Sequence, residues 1–145
     1  MTQSNAKEKK YQKSIQLIDA FAAKDKIDEI IKILYEEFED WIFCGFYIKK
    51  GDHLEIANYL SKNIPCSPIK MNGVCGQSII KNKILIIGDV NKFKGHIVCD
   101  KNSKSEIAIP FVKDNKKYVF DVDSRNLDDF DYIDEKYLKK VIDRI

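Results

Sequence analysis

Three of the four cysteines fall in segments that look unsuited to packing alone. Cys75 sits between glycines in Gly73-Val74-Cys75-Gly76, at the expected start of a short helix. Glycine permits close backbone approach, and the free amides of a helix N-terminus stabilise a thiolate. Cys99 lies in Gly95-His96-Ile97-Val98-Cys99-Asp100, in the middle of a long polar loop, where an isolated cysteine is a candidate nucleophile. Cys66 precedes both, in a stretch that carries two prolines. Cys44, between Phe43 and Gly45 in an apolar run, reads as a core residue.

Carboxylates supply the second signal. Asp121 and Asp123 alternate with Phe120 and Val122, so both acids project from one face of a strand. Such a pair is costly unless it is solvated or used. Glu106 begins the partner strand and can approach the same region across the hairpin. A cluster of this kind holds a cationic ammonium group, or keeps one acid protonated by like-charge repulsion. A plain solvent-facing strand is the bland alternative. Zinc is the chemical one, since Cys66, Cys75, Cys99 and His96 are suitable ligand types, although only His96-x-x-Cys99 forms a short-spaced pair. The chain has no Cys-x-x-Cys, Gly-x-Ser-x-Gly, Gly-x-Gly-x-x-Gly or P-loop, and its histidines are His53 and His96 alone. A serine triad and the common nucleotide sites therefore find no support.

The elements that must position these residues follow from apolar periodicity. A first helix is expected over about 7–22, with Ile15, Leu17 and Ile18 inward. A second follows, with Ile27, Ile30, Ile31, Leu34 and Phe38 at helical spacing. Trp41 to Lys49 and His53 to Leu60 read as a β-hairpin around Lys50-Gly51-Asp52. A loop spans 61–72, a short helix 73–81 carries Val74, Ser78, Ile79 and Ile80, and Ile84 to Ile87 is a short strand. Residues 88–104 form a second, long loop of the kind that carries function. Ser105 to Lys113 and Tyr118 to Asp123 pair around Asp114-Asn115. A closing helix over about 132–145 is capped by Asp128, Asp129 or Asp131. This order predicts an α+β domain with an antiparallel sheet.

The 145 residues suit a single domain, 1–145, since domains commonly hold about 100–150 residues. Apolar residues at 44% and charged residues at 33% fit one core and a solvated surface. A net charge of +2 excludes a strongly basic nucleic-acid footprint. Apolar runs such as Ile84 to Ile87 fall far short of the roughly 20 residues a membrane helix needs. The polar, Lys-rich stretch from Met1 to Lys10 carries no secretory signal, so a cytoplasmic protein with its cysteines mostly as thiols is expected.

Taken in order, several short pieces resemble one known family. They are Gly45-Phe46-Tyr47, Gly73-Val74-Cys75-Gly76, Asp89-Val90, Gly95-His96-Ile97-Val98-Cys99-Asp100, Ser105-Glu106-Ile107 with Pro110, and Asp121-Val122-Asp123-Ser124. From about Trp41 to Phe130, and more loosely through both terminal helices, the chain resembles the GAF-domain free methionine-(R)-sulfoxide reductases. The resemblance implies a GAF-like fold, with helices mainly on one sheet face and loops enclosing a small-molecule pocket on the other. It implies Cys99 as the catalytic cysteine, Cys75 and Cys66 as those that resolve it, with Cys75 expected as the first partner of Cys99, and Glu106, Asp121 and Asp123 as substrate-binding and acid residues. Trp41, Phe43 and Tyr47 are candidates to receive the S-methyl group, with Trp41 and Phe43 both open for the family's pocket tryptophan position. The implied substrate is the free amino acid, and the implied recycling partner is thioredoxin, fed by NADPH, with no bound cofactor. A homodimer is implied as well, because the family often pairs. The implied alternative is a GAF domain that senses a small molecule or an oxidant without catalysis.

Overall fold

Two tight turns set the sheet. The computed structural model describes residues 2–145; Met1 lies outside them. Asp114 and Asn115 both adopt positive φ, which two-residue hairpin turns require, and join β5 (Ser105–Lys113) to β6 (Lys116–Ser124). Gly51, at φ +62°, joins β1 (Trp41–Lys50) to β2 (His53–Ser61). With the short β3 (Ile69–Lys70) and β4 (Leu85–Ile87), these strands form one six-stranded antiparallel sheet in the order β3-β2-β1-β6-β5-β4. β3 falls inside the stretch that the residues present as loop.

Period-2 alternation gives the sheet two different faces. Cys44, Phe46, Ile107, Ile109, Phe120 and Val122 pack against three helices, α1 (Gln3–Ala20), α2 (Ile27–Glu37) and α4 (Tyr132–Ile142). This is the larger core, and Cys44 is fully buried in it as expected. On the opposite face Phe43, Tyr47, Leu54, Ala108 and Val119 pack against Val74, Cys75 and Ile79 of α3 (Val74–Lys81). The architecture is the expected α+β arrangement, with most helices on one side and loops over the other.

Three details of the helices differ from the periodicity. α1 starts at Gln3, earlier than expected, because the Thr2 hydroxyl accepts from the Asn5 amide and caps it. Its inward positions are Tyr11, Ser14 and Ile18, while Leu17 is 49% exposed. A polar partner explains the shift. The Tyr11 hydroxyl donates to Asp134 Oδ1 at 2.5 Å, Lys7 Nζ lies 2.8 Å from Asp134 Oδ2, and the Tyr11 ring stacks on Tyr137. Asp134 also completes a capping box with Asp131, which is the N-cap of α4. One carboxylate thus fixes the start of α4 and the roll of α1 upon it. In α3, Ile80 turns outward, whereas Val74, Ser78 and Ile79 are buried.

α3 is held by contact rather than by a side-chain cap. A Cβ added at Gly76 would collide with the backbone of Met71. Replacing Gly76 with Ala is therefore expected to destabilise the fold by about 1–3 kcal/mol, the usual cost of overpacking. Urea unfolding would read this as a lowered midpoint; an unchanged midpoint would show that α3 can move away freely.

Candidate active site

The antiparallel register brings the three acids together. Glu106 on β5 stands opposite Asp123 on β6, and Ala108 stands opposite Asp121. On the other side of β6, Asp121 faces Gly45 and Asp123 faces Phe43 of β1. All lie on the face away from the larger core. Gly45 is required there, because a Cβ would meet the Tyr59 side chain and the Asn58 carbonyl where β2 bulges against β1.

The carboxylates border a cavity of about 60 Å³, lined also by Phe43, Tyr47, Cys75, His96, Cys99 and Ser103. Among the described residues no Lys or Arg lines it. Glu106 and Asp121 are buried, and one oxygen each of Asp121 and Asp123, with the Ser103 hydroxyl, has no hydrogen-bond partner among the described residues. Burial is the main force pushing all three acids above the ordinary carboxylate range. Mutual repulsion adds to it: Asp121 acts on Glu106, Asp123 on Asp121, and Glu106 on Asp123. The site thus retains protons, and its acceptor oxygens suit a cationic or proton-donating guest.

The cysteines divide differently from expectation. Cys66 and Cys99 form a disulfide, with Cα atoms 5.5 Å apart. The expected partner of Cys99, Cys75, is a buried free thiol instead. Its Sγ donates to Glu106 Oε2 at 3.7 Å. Burial first, and then Asp121, Glu106 and Asp123, push this thiol well above its usual range. The helix N-terminus does not deliver the thiolate that the glycine-flanked motif suggests, because α3 presents Cys75 to carboxylates. Cys75 Sγ and the Glu106 and Asp121 carboxylates offer ligand atoms within 4.8 Å of one another, a different set from the zinc ligands considered from spacing. In that earlier set, Cys66 and Cys99 are bonded to each other.

The two loops that carry the disulfide meet over the cavity. Asn63 Nδ2 donates to Asp100 Oδ2 at 2.9 Å, and the Tyr47 hydroxyl donates to the Cys66 carbonyl at 3.0 Å. The base of the long loop is tied down, since the Val90 amide donates to Lys104 O at 2.9 Å and the Lys104 amide to Ser124 O at 2.8 Å. His96 is half-buried at the cavity, and burial lowers its pKa, which favours the neutral ring.

Among the aromatic candidates, Phe43 and Tyr47 line the cavity and Trp41 does not. Trp41 packs with Tyr11, Phe38 and Phe130 in the helix-side core. A bulge on β1 is responsible. Trp41 pairs with Ser124 and Phe43 with the adjacent Asp123, so the face alternation breaks between them. Ser61, Asn63 and Ser103 are polar lining residues that the residue types did not flag; none stands in a motif, and the loop fold alone brings them in.

No protein-family model matches the chain. It is 35% identical to GAF domain-containing protein A of Dictyostelium discoideum over 144 residues, 94% of this chain and 90% of that protein. It is 38% identical to the free methionine-R-sulfoxide reductase of Escherichia coli over 112 residues, 76% of this chain and 67% of that one. Among solved structures, the free methionine-R-sulfoxide reductase of Neisseria meningitidis in complex with its substrate superposes with a TM-score of 0.83 at 27% identity. That match covers 99% of this chain and 88% of the other.

The raised acids make stability depend on pH with a definite sign. A carboxyl whose folded-state pKa is raised still holds a proton that the unfolded chain has released. Stability therefore falls as pH climbs from the ordinary value, 3.8 for Asp121, through the raised one. Asp121→Asn removes that contribution. The variant should be more resistant to thermal unfolding than the parent at pH 7, with the gap closing toward pH 4. A gap that stays constant with pH would contradict the assignment.

Proposed function

Since the chain belongs to the GAF-domain free methionine-R-sulfoxide reductase family, we propose that it is an oxidoreductase converting free L-methionine-(R)-sulfoxide to methionine. One observation carries the reading: buried carboxylates with unpartnered oxygens and a pair of cysteines close enough to bond border the same cavity. In the proposed cycle, the reduced Cys99 thiolate attacks the sulfoxide sulfur while a protonated carboxyl of Glu106, Asp121 or Asp123 protonates the departing oxygen. The hydroxyl then passes from the substrate sulfur to Cys99 as the transient bond between the two sulfurs breaks, so methionine leaves and Cys99 becomes a sulfenic acid. The Cys66 thiol then attacks Cys99, forming the disulfide and releasing water. Cys66 is preferred to Cys75 as the resolving residue because it already pairs with Cys99. Two electrons from a dithiol reopen the disulfide; thioredoxin, fed by NADPH in the cytoplasm, is the proposed source.

The free acceptor oxygens of Asp121 and Asp123 suit an ammonium group, which only a free amino acid presents beside its side chain. Phe43 and Tyr47 offer apolar surface for the S-methyl end. Cys75, a thiol donating to Glu106, helps to hold that carboxylate in place.

Methionine formation, followed by chromatography with dithiothreitol as reductant, tests the scheme. The R epimer should be consumed and the S epimer left, and Cys99→Ser should abolish turnover. Binding without turnover in the parent protein would instead assign a GAF sensor. Glu106→Gln or Asp121→Asn should lower kcat by about 10²–10⁴-fold, the span general acid catalysis contributes, in protein that remains folded.

The ammonium clamp has its own test. N-Acetyl-methionine sulfoxide should lose more than about tenfold in kcat/KM, because a charge-assisted hydrogen bond is worth about 1.5–3 kcal/mol. Equal use of both compounds would remove the clamp from the scheme.

A further inference from the structure

Two exposed apolar side chains flank the Cys66–Cys99 disulfide. Ile64, two residues before Cys66, is 92% exposed, and Val98, adjacent to Cys99, is 65% exposed. Such side chains are ordinary one at a time; a pair bracketing a redox-active bond is a surface feature. The loops that carry them, 61–72 and 88–104, hold six lysines and two aspartates, a net charge of +4 where the whole chain carries +2. The lysines are Lys62, Lys70, Lys92, Lys94, Lys101 and Lys104. Among the described residues none of them forms an ion pair with a carboxylate. Asp100, by contrast, is occupied, accepting from Asn63 and from the Asn102 amide. The loops that carry the disulfide thus combine exposed apolar side chains with lysines that lack carboxylate partners, one of which, Lys62, rests over the Tyr35 ring at 5.0 Å. An apolar centre within a charged rim is the usual composition of a transient protein interface.

We propose that this rim is the docking surface for an acidic protein dithiol, which reopens the disulfide once per cycle. The inference rests on the reductase reading and deepens it by naming where and how the reductant is recognised. Ile64 and Val98 pack against apolar surface around the partner's dithiol, while the lysines steer its negative charge. The exchange balances in two steps. A partner thiolate attacks one sulfur of the Cys66–Cys99 bond, forming a mixed disulfide and releasing the other cysteine as a thiolate that takes up a proton. The partner's second thiolate then attacks its own sulfur in the mixed disulfide. This leaves two thiols here and a disulfide on the partner, with two electrons transferred.

A small dithiol needs no such surface, which supplies the control. Methionine formation is measured with thioredoxin and, separately, with dithiothreitol, for the parent, Val98→Asp, and the double variant Lys94→Glu, Lys101→Glu. With thioredoxin, kcat/KM should fall about tenfold in each variant, chiefly through KM for thioredoxin. With dithiothreitol the rates should match the parent. The thioredoxin rate of the parent should also drop between about 0.05 and 0.5 M salt, because screening shortens the reach of the lysines. Unchanged thioredoxin rates, salt-independent rates, or equal losses with both reductants would each overturn the docking surface. A parent active with dithiothreitol yet inert with thioredoxin would overturn it too. A parent inactive with both would overturn the reductase reading underneath, and the docking surface with it.

Discussion

The structure turns on gathering three carboxylates, with Glu106 and Asp121 buried, on one face of a sheet with no lysine or arginine beside them among the described residues. Taking an ionised carboxylate out of water costs several kcal/mol even after the surroundings relax. Glu106, Asp121 and Asp123 escape part of that cost by retaining protons, which is why burial leads the causes that raise each of them. The remaining cost falls on the rest of the fold. The opposite face of the same strands carries Ile107, Ile109, Phe120 and Val122 into a hydrocarbon core closed by three helices. One strand, β6, therefore contributes the strongest packing and the least favourable electrostatics at alternate residues.

That division also sorts the cysteines. Cys44 points into the helix-side core and Cys75 into the acid cluster, and both thiols are held protonated by burial and nearby carboxylates. A thiolate is the reactive form, so neither environment favours chemistry at sulfur. Cys66 and Cys99 lie in loops above the sheet, outside the most deeply buried acids, where they can bond to each other. The loops are irregular in their middles yet anchored at their bases by the pairing of Val90, Lys104 and Ser124. A rigid sheet fixes the acids while loops carry the sulfur.

Local chemistry made much of this legible from residues alone. Gly51 and Asp114-Asn115 announce hairpins because few other residues tolerate their backbone angles, and alternation in 120–123 announces the acid face. Where reading failed, a non-local choice had overruled a local pattern. Strict alternation groups Trp41 with Phe43 and Tyr47, but a single bulge sends Trp41 to the other face. Leu17 looks inward on periodicity, yet the bond from Tyr11 to Asp134, 123 residues away in sequence, rolls α1 the other way. The pairing of Cys66 with Cys99 spans 33 residues and depends on how two loops fold over the cavity, which no spacing rule encodes. Glycine-flanked Cys75 carried the clearest motif, but the strands behind it reversed its electrostatics.

A pocket assembled this way separates what stabilises the protein from what equips it for chemistry. Buried acids left partly unsatisfied weaken the native state near neutral pH, and a sequence selected only for stability would replace them with apolar or amide side chains. Their presence is intelligible if a guest supplies what the protein withholds: a cation for the free oxygens of Asp121 and Asp123, and an oxygen ready to accept a proton. A zwitterionic amino acid with a polar sulfoxide brings both groups on one small molecule. The instability of the empty cluster and the selectivity proposed for the filled one thus have a common origin, the absence of an internal counter-charge among the described residues.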